Sequence, residues 1–392
     1  MNQQDTIPLF KVGEKQFKVQ AKNNDDNYLS FKLEVEKVVD DGTDTVRKDI
    51  VWSDAEVVVL DSVKSGLGRS AENDFFTNVI EPVFDELKVP ARVIRTENSK
   101  SVTEFASTFK PSAPTTIIIF LSGDTTISEF INALKPNEAR KDNKERAHLW
   151  FLPLPFGTAN AWATSLGIQN PVSAFGEFLQ DKLSPKSFPL YKAKFPNGRE
   201  VVFFIILSIG FHANLLHLCN EERFDNIGVE KFRIAAQEIL QTYDLDYSLQ
   251  LPAKLPTQHF AYFTLINTPF LEKTYMPSPS SDPLKSELHL LGYITAFDKT
   301  KLIEKIMRGY YNKPQEDISA DGVVYQPFSD DFVVSFEDAS DEDPNTKFEI
   351  CCDGHLLNMR DLQVEGNNFD GKLQIEFLKD YSAFDLKVLT PK

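Results

Sequence analysis

Between residues 55 and 165, short apolar runs alternate with amphipathic stretches, and this alternation constrains the fold more than any other feature. AEVVVL (55–60) and TTIIIFLSG (115–123) are almost unbroken apolar runs, as strands buried on both faces must be. ARVIRT (91–96) and AHLWFLPLP (147–155) complete a set of four. Each is followed by a stretch that reads as helix: DFFTNVIEPVFDEL, SVTEFASTF, TISEFINAL and TANAWATSLG. Strand–helix alternation at this spacing predicts a doubly wound parallel sheet covered on both faces.

The flanks read differently. PLFKV, KQFKVQA and YLSFKLEVEKVV alternate apolar and polar residues between the turn-rich NNDDN and DDGTD, which predicts two or three antiparallel strands. From about Phe188 the chain is strand-rich, with one helix expected over 229–244, the pattern of an antiparallel β-sandwich. The expected organisation is thus an N-terminal β-strand extension (1–50), an α/β domain (51–185) and a β-sandwich domain (186–392), with KLSPKSFPL as the linker. A length of 392 residues suits about two or three domains. YMPSPSSDPLKSE (275–287) reads as a mobile loop.

Charge bounds the partners. A net charge of −16 argues against nucleic acid held by bulk electrostatics. Ten acids and no Lys or Arg lie between Pro314 and Thr346, while Lys64, Arg69, Arg95 and Lys231 lie near the candidate loops. A phosphate ligand is therefore compatible with the charge; tight docking on an anionic membrane is not. No apolar run reaches ~18 residues, and MNQQDTIPLF has no basic-then-apolar leader. A cytoplasmic protein is expected, with at most transient peripheral contact with intracellular membranes. Cys219, Cys351 and Cys352 make no disulfide framework, and the cysteines and six histidines show no zinc spacing, so no protein metal cage is expected. His212 and His217 share a helical spacing but have no evident third ligand.

In a doubly wound sheet, ligands bind beyond the carboxyl ends of the strands. Three strand-to-helix turns there carry the right residue types. Ser65-Gly66-Leu67-Gly68 lets backbone approach a phosphate closely, or is a plain tight turn. Ser122-Gly123-Asp124-Thr125-Thr126 puts a glycine, a carboxylate and hydroxyls at a helix N-terminus, where dipole and free amides attract phosphate; Asp124 is equally suited to capping that helix. Pro155-Phe156-Gly157-Thr158-Ala159-Asn160 is a rigid turn in which Thr158 can cap the next helix.

In this order the turns resemble those of the lipid kinases, the diacylglycerol, sphingosine and ceramide kinase family, with the sphingoid-base branch nearest. SGD with ISEFINAL is similar to the family's SGDG or GGDG motif and its following helix, matched at Ser122, Gly123, Asp124, Glu129, Asn132 and Leu134. LPFGTANAWATSLG is similar to its P-x-G-(S/T)-G-N-x-x-A motif, matched at Pro155, Gly157, Thr158, Asn160 and Ala163. SIGFHANLLHLC resembles the G-F-x-A-D segment at Gly210, Phe211 and Ala213, and EICCDGHLL resembles the late strand ending in D-G-E at Asp353 and Gly354.

The resemblance implies an NAD kinase- and diacylglycerol kinase-like α/β domain, with ATP and Mg²⁺ bound in the cleft before the sandwich and the lipid chain entering the sandwich. It implies phosphate or nucleotide contacts from Ser65, Gly66, Thr96, Ser122, Gly123, Thr125, Gly157, Thr158, Asn160 and Lys231, and placement of Mg²⁺ or nucleotide by Asp353. Asp124 would orient or deprotonate the acceptor hydroxyl, and Phe156, Phe211 and Asn214 would meet the lipid. The departures are Thr125 and Ala159 for glycines, Ser62-Val63 for Asn-Pro, Asn214 for a carboxylate, Asp225 for a base and His355 for Glu. Two functions stay open: an ATP-dependent lipid kinase acting on a sphingoid-base or ceramide hydroxyl, and a catalytically impaired relative that binds lipid or nucleotide as a regulator.

Overall fold

The four apolar runs pair side by side. The computed structural model describes every residue except 1, 25–26, 41, 43–44, 47–53, 137–145, 226, 229, 253–257, 297, 338–339 and 341. The chain divides into two compact units, Met1–Ser187 with Ser382–Lys392, and Phe188–Tyr381.

In the first unit, β1 (Asn2–Val12), β2 (Lys15–Asn24) and β3 (Asn27–Lys37) form an antiparallel meander. A separate sheet holds β4 (Glu56–Asp61), β5 (Ala91–Arg95), β6 (Thr115–Ser122), β7 (His148–Pro155) and β8 (Leu183–Lys186), together with the C-terminal strand Asp385–Pro391. The order is β5-β4-β6-β7, then the C-terminal strand, then β8, parallel throughout except for β8. The helices are α1 (Glu81–Leu87), entered through a π-helical turn at Phe76–Ile80, α2 (Ser101–Thr108), α3 (Asp124–Ala133), α4 (Ala161–Ser165) and α5 (Pro171–Leu179).

The chain winds one way from β4 to β5, then back across β4 to β6 and on to β7. Right-handed crossovers therefore place α1 on one face and α2 and α3 on the other. Ring contacts bear this out. Phe105 of α2 meets Phe130 of α3 at 6.0 Å, and Phe130 meets Phe120 and Phe151 of the sheet at 5.5 and 5.8 Å. On the opposite face Phe84 and Phe75 meet Phe175 of α5 at 5.8 and 6.0 Å, and Phe31 of the N-terminal meander meets Phe75 at 4.9 Å. Each such buried ring stabilises the fold by roughly 1.5–3 kcal/mol. The winding reverses between β4 and β6, so the loops at their carboxyl ends face each other at the topological switch point.

Two boundaries differ from the sequence expectation. Residues 382–392 belong with the α/β unit, because the C-terminal strand inserts between β7 and β8. The expected linker is partly strand: β8 lies at the sheet edge, where Pro185 interrupts no interior ladder. The N-terminal meander is fused to the α/β unit, with the Phe31 amide donating to the Glu72 carbonyl at 2.8 Å and the Gln180 side chain donating to the Leu9 carbonyl.

The second unit is one 11-stranded sheet, antiparallel at every pairing. It forks at Gln258–Ile266, which pairs on one edge with Tyr247–Gln250 near its start and Ile206–Gly210 further along, and on the other edge with Leu288–Ile294. This fork opens the sheet into two layers around a Leu-, Ile- and Phe-rich core. Among the described residues three longer helices, not one, interrupt it: Phe211–Cys219, Glu230–Thr242 and Lys299–Met307. The Pro/Ser-rich loop is held, not loose. Asn267 Nδ2 donates to the carbonyls of Asp282, Lys285 and Glu287 at 3.1, 2.9 and 2.8 Å, and buried Ser278 bonds Tyr325 at 3.0 Å.

Candidate functional site: the loops at the switch point

The first loop leaves β4 at Asp61. Gly66 and Gly68 take φ of 64° and 77°, which only glycine adopts readily. Gly66 also lies against the next motif: a Cβ there would sit 2.7 Å from the Phe156 carbonyl oxygen. Arg69 bolts the loop down. Its Nε donates to Asp61 at 3.1 Å, its Nη2 donates to the Leu121 carbonyl at 2.9 Å, and its guanidinium lies 4.8 Å from the Phe156 ring centroid. Asp61 is fully buried; Arg95 approaches its second oxygen at 3.0 Å and holds Asp74 at 2.6 Å. Burial pushes the Asp61 carboxyl up, and the two guanidiniums oppose that shift. Of the cations expected near a phosphate, Arg69 and Arg95 are thus engaged, while Lys64 is exposed and makes no ion pair among the described residues. Thr96 accepts the Val63 amide at 3.1 Å, tying β5 to the same loop.

The Ser122 hydroxyl turns back to the Gly123 carbonyl at 3.1 Å, and Gly123 is the extended N-cap of α3. No side chain caps this helix, so its first amides point out beside Gly123. Thr125 is an exposed residue of the first helical turn and is not among the residues with positive φ. Its Cβ therefore costs no backbone strain. Gly157 of the second motif packs backbone on backbone against Gly123. A Cβ on Gly123 would lie 3.0 Å from Gly157 Cα, and one on Gly157 would overlap Gly123 Cα. The two motifs can meet only because both positions are glycine.

Asn160 shapes its own turn: its Oδ1 accepts the Gly157 amide at 2.7 Å, its Nδ2 donates to the Gly157 carbonyl at 2.9 Å, and its φ is 55°. The next helix is capped by Asp124 from the other motif, not by Thr158. The Asp124 carboxylate accepts the amides of Ala161 and Trp162 at 2.6 and 3.2 Å. Burial pushes its carboxyl up to about 6, against the pull of those two amides. Asp124, expected as the acid–base residue, is therefore also the clasp between the SGD and PFGTAN motifs. Phe156 is buried among Tyr28, Phe31 and Phe75 under the Arg69 guanidinium, so it packs in the α/β core rather than on a lipid path.

In the second unit, the apolar run VVFFIILSIG breaks into Glu200–Phe203 and Ile206–Gly210. Asp353 fills the break. Its carboxylate accepts the amides of Phe204, Ile205 and Ile206 at 2.7, 3.1 and 2.7 Å while buried at 4% exposure. That occupation makes it a backbone clasp. Asn214 is buried, donating to Glu349 at 2.6 Å and to the Thr346 carbonyl at 2.7 Å, and accepting the Tyr247 hydroxyl at 2.6 Å. A carboxylate, Glu349, thus lies against the position where a carboxylate was missed in the sequence. Phe211 is buried in the core, and Lys231 lies 5.5 Å from the Phe232 ring centroid. His212 and His217 bond Ser208 and the Ile350 carbonyl at 2.8 and 3.1 Å. No group of three or more His, Cys, Asp or Glu able to hold a metal occurs among the described residues. Sequence reading missed the Asp61–Arg69 bolt; its one signal is an acid ending an otherwise apolar strand.

The chain is similar to known proteins in part of its sequence and in its fold. The diacylglycerol kinase catalytic domain family matches residues 56–187. The chain is 32% identical over 121 residues to sphingoid long-chain bases kinase 1 of Arabidopsis thaliana and 30% identical over 125 residues to sphingosine kinase B of Dictyostelium discoideum. Each match covers 30% of this chain and 15% of the relative's own length. For the fold, the crystal structure of a diacylglycerol kinase from Bacillus anthracis str. Sterne aligns over 86% of this chain and 96% of that one, with a TM-score of 0.56 at 15% identity. A putative diacylglycerol kinase from the same organism gives 0.55 at 14% identity over the same shares.

Proposed function

We propose, from the match of residues 56–187 to the diacylglycerol kinase catalytic domain family, that this chain transfers the γ-phosphoryl group of ATP to a lipid hydroxyl of the sphingoid-base or ceramide type. The names of the two plant and amoebal relatives support the acceptor class. One observation carries the reading: Gly123 and Gly157 press together at the uncapped N-terminus of α3. Side chains at either position would force the two backbones apart, so the glycine pair holds the second motif beside the helix amides, where a polyanion is favoured.

Each loop residue has a role in this reading. The amides of the first turn of α3, with the Thr125 hydroxyl beside them, cradle the terminal phosphates, while the Ser122 hydroxyl holds the Gly123 carbonyl. Ser65 and Gly66 close the first loop over them, held by Arg69, with Thr96 fixing the loop from β5. Gly157, Thr158 and Asn160 form the second wall. Mg²⁺ supplies charge neutralisation across the phosphate oxygens when bound. Asp124 accepts the proton of the acceptor hydroxyl as the new oxygen–phosphorus bond forms and ADP leaves. A carboxyl raised to about 6 is a better base near neutral pH than an ordinary aspartate.

No helix among the described residues is long and apolar enough to cross a membrane. The test is phosphorylation of a sphingoid base or ceramide by purified protein with Mg-ATP. Product formed by wild type and lost in Asp124→Asn supports the reading. Binding of lipid or nucleotide without turnover of any lipid overturns it in favour of a non-catalytic regulator.

A further inference from the structure

The first loop carries an apolar side chain that its own packing does not use. Ser65–Gly68 is a tight turn closed by the Gly68 amide, which donates to the Ser65 carbonyl at 3.0 Å. The positive φ of Gly66 and Gly68 leaves Leu67 at the tip of that turn, 50% exposed, beside the loops proposed to hold phosphate. A single exposed leucine is ordinary. This one shares a groove with an aromatic ring.

The ring is Tyr28, on β3 of the N-terminal meander. Tyr28 and Leu67 line one open groove together with Asn27, Gly66 and Gly157. Gly157 also presses on Gly123, so the groove runs on from the N-terminus of α3. Tyr28 is half-buried, stacked on Phe31 at 5.1 Å and 6.3 Å from the Phe156 ring. Asn73 ties the two sides together. Its Nδ2 donates to the Gly68 carbonyl at 3.2 Å and to the Tyr28 carbonyl at 3.5 Å, and its Oδ1 accepts the Ser70 amide at 2.6 Å. Both walls are therefore held from outside the groove. The matched domain begins at residue 56, so the Tyr28 wall is an addition of this chain.

We propose that Tyr28 and Leu67 clamp the base of a purine nucleotide, with an aromatic wall on one side, an aliphatic wall on the other and the Asn27 amide at the base edge. The inference rests on the nucleotide reading above and adds to it the groups that prefer a nucleoside triphosphate to bare phosphate. Every base has a π-face to stack, and a purine covers more of the two walls than a pyrimidine. A side-chain amide carries both donors and an acceptor, so Asn27 can meet adenine or guanine. The clamp thus favours purines without choosing between ATP and GTP.

The test is calorimetric titration of the full chain with Mg-ATP, Mg-GTP, Mg-UTP and magnesium tripolyphosphate. Wild type should bind ATP and GTP alike, UTP more weakly, and tripolyphosphate roughly tenfold more weakly than ATP or beyond. Tyr28→Ala should weaken ATP roughly tenfold and leave tripolyphosphate unchanged, whereas Tyr28→Phe should keep wild-type affinity because the ring does the stacking. Leu67→Ala, at an exposed site that the fold does not need, should weaken ATP by a few-fold, again without touching tripolyphosphate. Val35→Ala, exposed on the same strand β3, should change neither. Equal affinity of wild type for ATP and tripolyphosphate overturns the clamp and leaves the phosphate loops standing. So do variants that weaken both ligands alike, or neither. Binding of no triphosphate at all overturns the clamp and the nucleotide reading together.

Discussion

Asp124 and Asp353 both sit in motif positions and both accept backbone amides, and the difference between them sets the carboxylate proposed to react apart from one that only holds backbone. Asp353 takes three amides from one broken strand, at 2.7–3.1 Å, inside the second unit. Asp124 takes two, from a helix that begins in a different motif. Three buried donors use the carboxylate as a permanent acceptor. Two leave lone pairs over, and desolvation raises the carboxyl to about 6, within reach of a proton-transfer role. Number of amides, not burial alone, distinguishes the two sites.

The sharpest break in that comparison is Asp124→Asn. Turnover should fall by about 10²–10⁴-fold, with a smaller loss of melting temperature, because the Asn oxygen accepts one α4 amide while its nitrogen faces the other. The pH profile of wild type should support the same role. Below about pH 6 the Asp124 carboxyl holds its proton and cannot accept another, so kcat should fall as pH drops through that value. An acid limb near the ordinary aspartate range, close to 3.8, would remove the raised carboxyl from the account.

Asp353→Ala should act on stability. It leaves three buried amides without an acceptor, each costing about 1–3 kcal/mol, so chemical denaturation should show a loss of at least about 3 kcal/mol. Asp353→Asn should restore part of it. A loss under about 1 kcal/mol would mean that Asp353 is no clasp. Gly157→Ala comes next: overpacking against Gly123 should cost about 1–3 kcal/mol and abolish the thermal shift on adding Mg-ATP. Thr125→Gly should be the smallest, a loss of about 0.5–1 kcal/mol from a helix position and a modestly smaller thermal shift with Mg-ATP, because the hydroxyl beside the phosphates is lost while the backbone is unstrained.

Much of this was legible in the chain. AEVVVL and TTIIIFLSG are apolar throughout because their strands are covered on both faces, and that pattern admits few other folds. Gly123, Gly157 and Asp124 stood out because turns at strand ends need those residue types. Other parts depend on contacts between distant residues. The run VVFFIILSIG looks like one strand; it is divided because Asp353, about 150 positions on, captures the amides at its centre. The C-terminal strand DLKVLTP has ordinary strand character, and only pairing with β7 shows that it leaves the second unit for the first. Asn214 lost a carboxylate in sequence, yet Glu349 lies 2.6 Å from it across 135 positions. Capping of α4 by Asp124 could not be read either, since Thr158 was the nearer capping residue.

The most direct test of the central claim is the structure of the full chain with Mg²⁺ and a non-hydrolysable ATP analogue. The account predicts the terminal phosphates against the Gly123–Thr125 backbone with Gly157 beside them. Phosphates bound away from this glycine pair, or an analogue that does not bind, would contradict it.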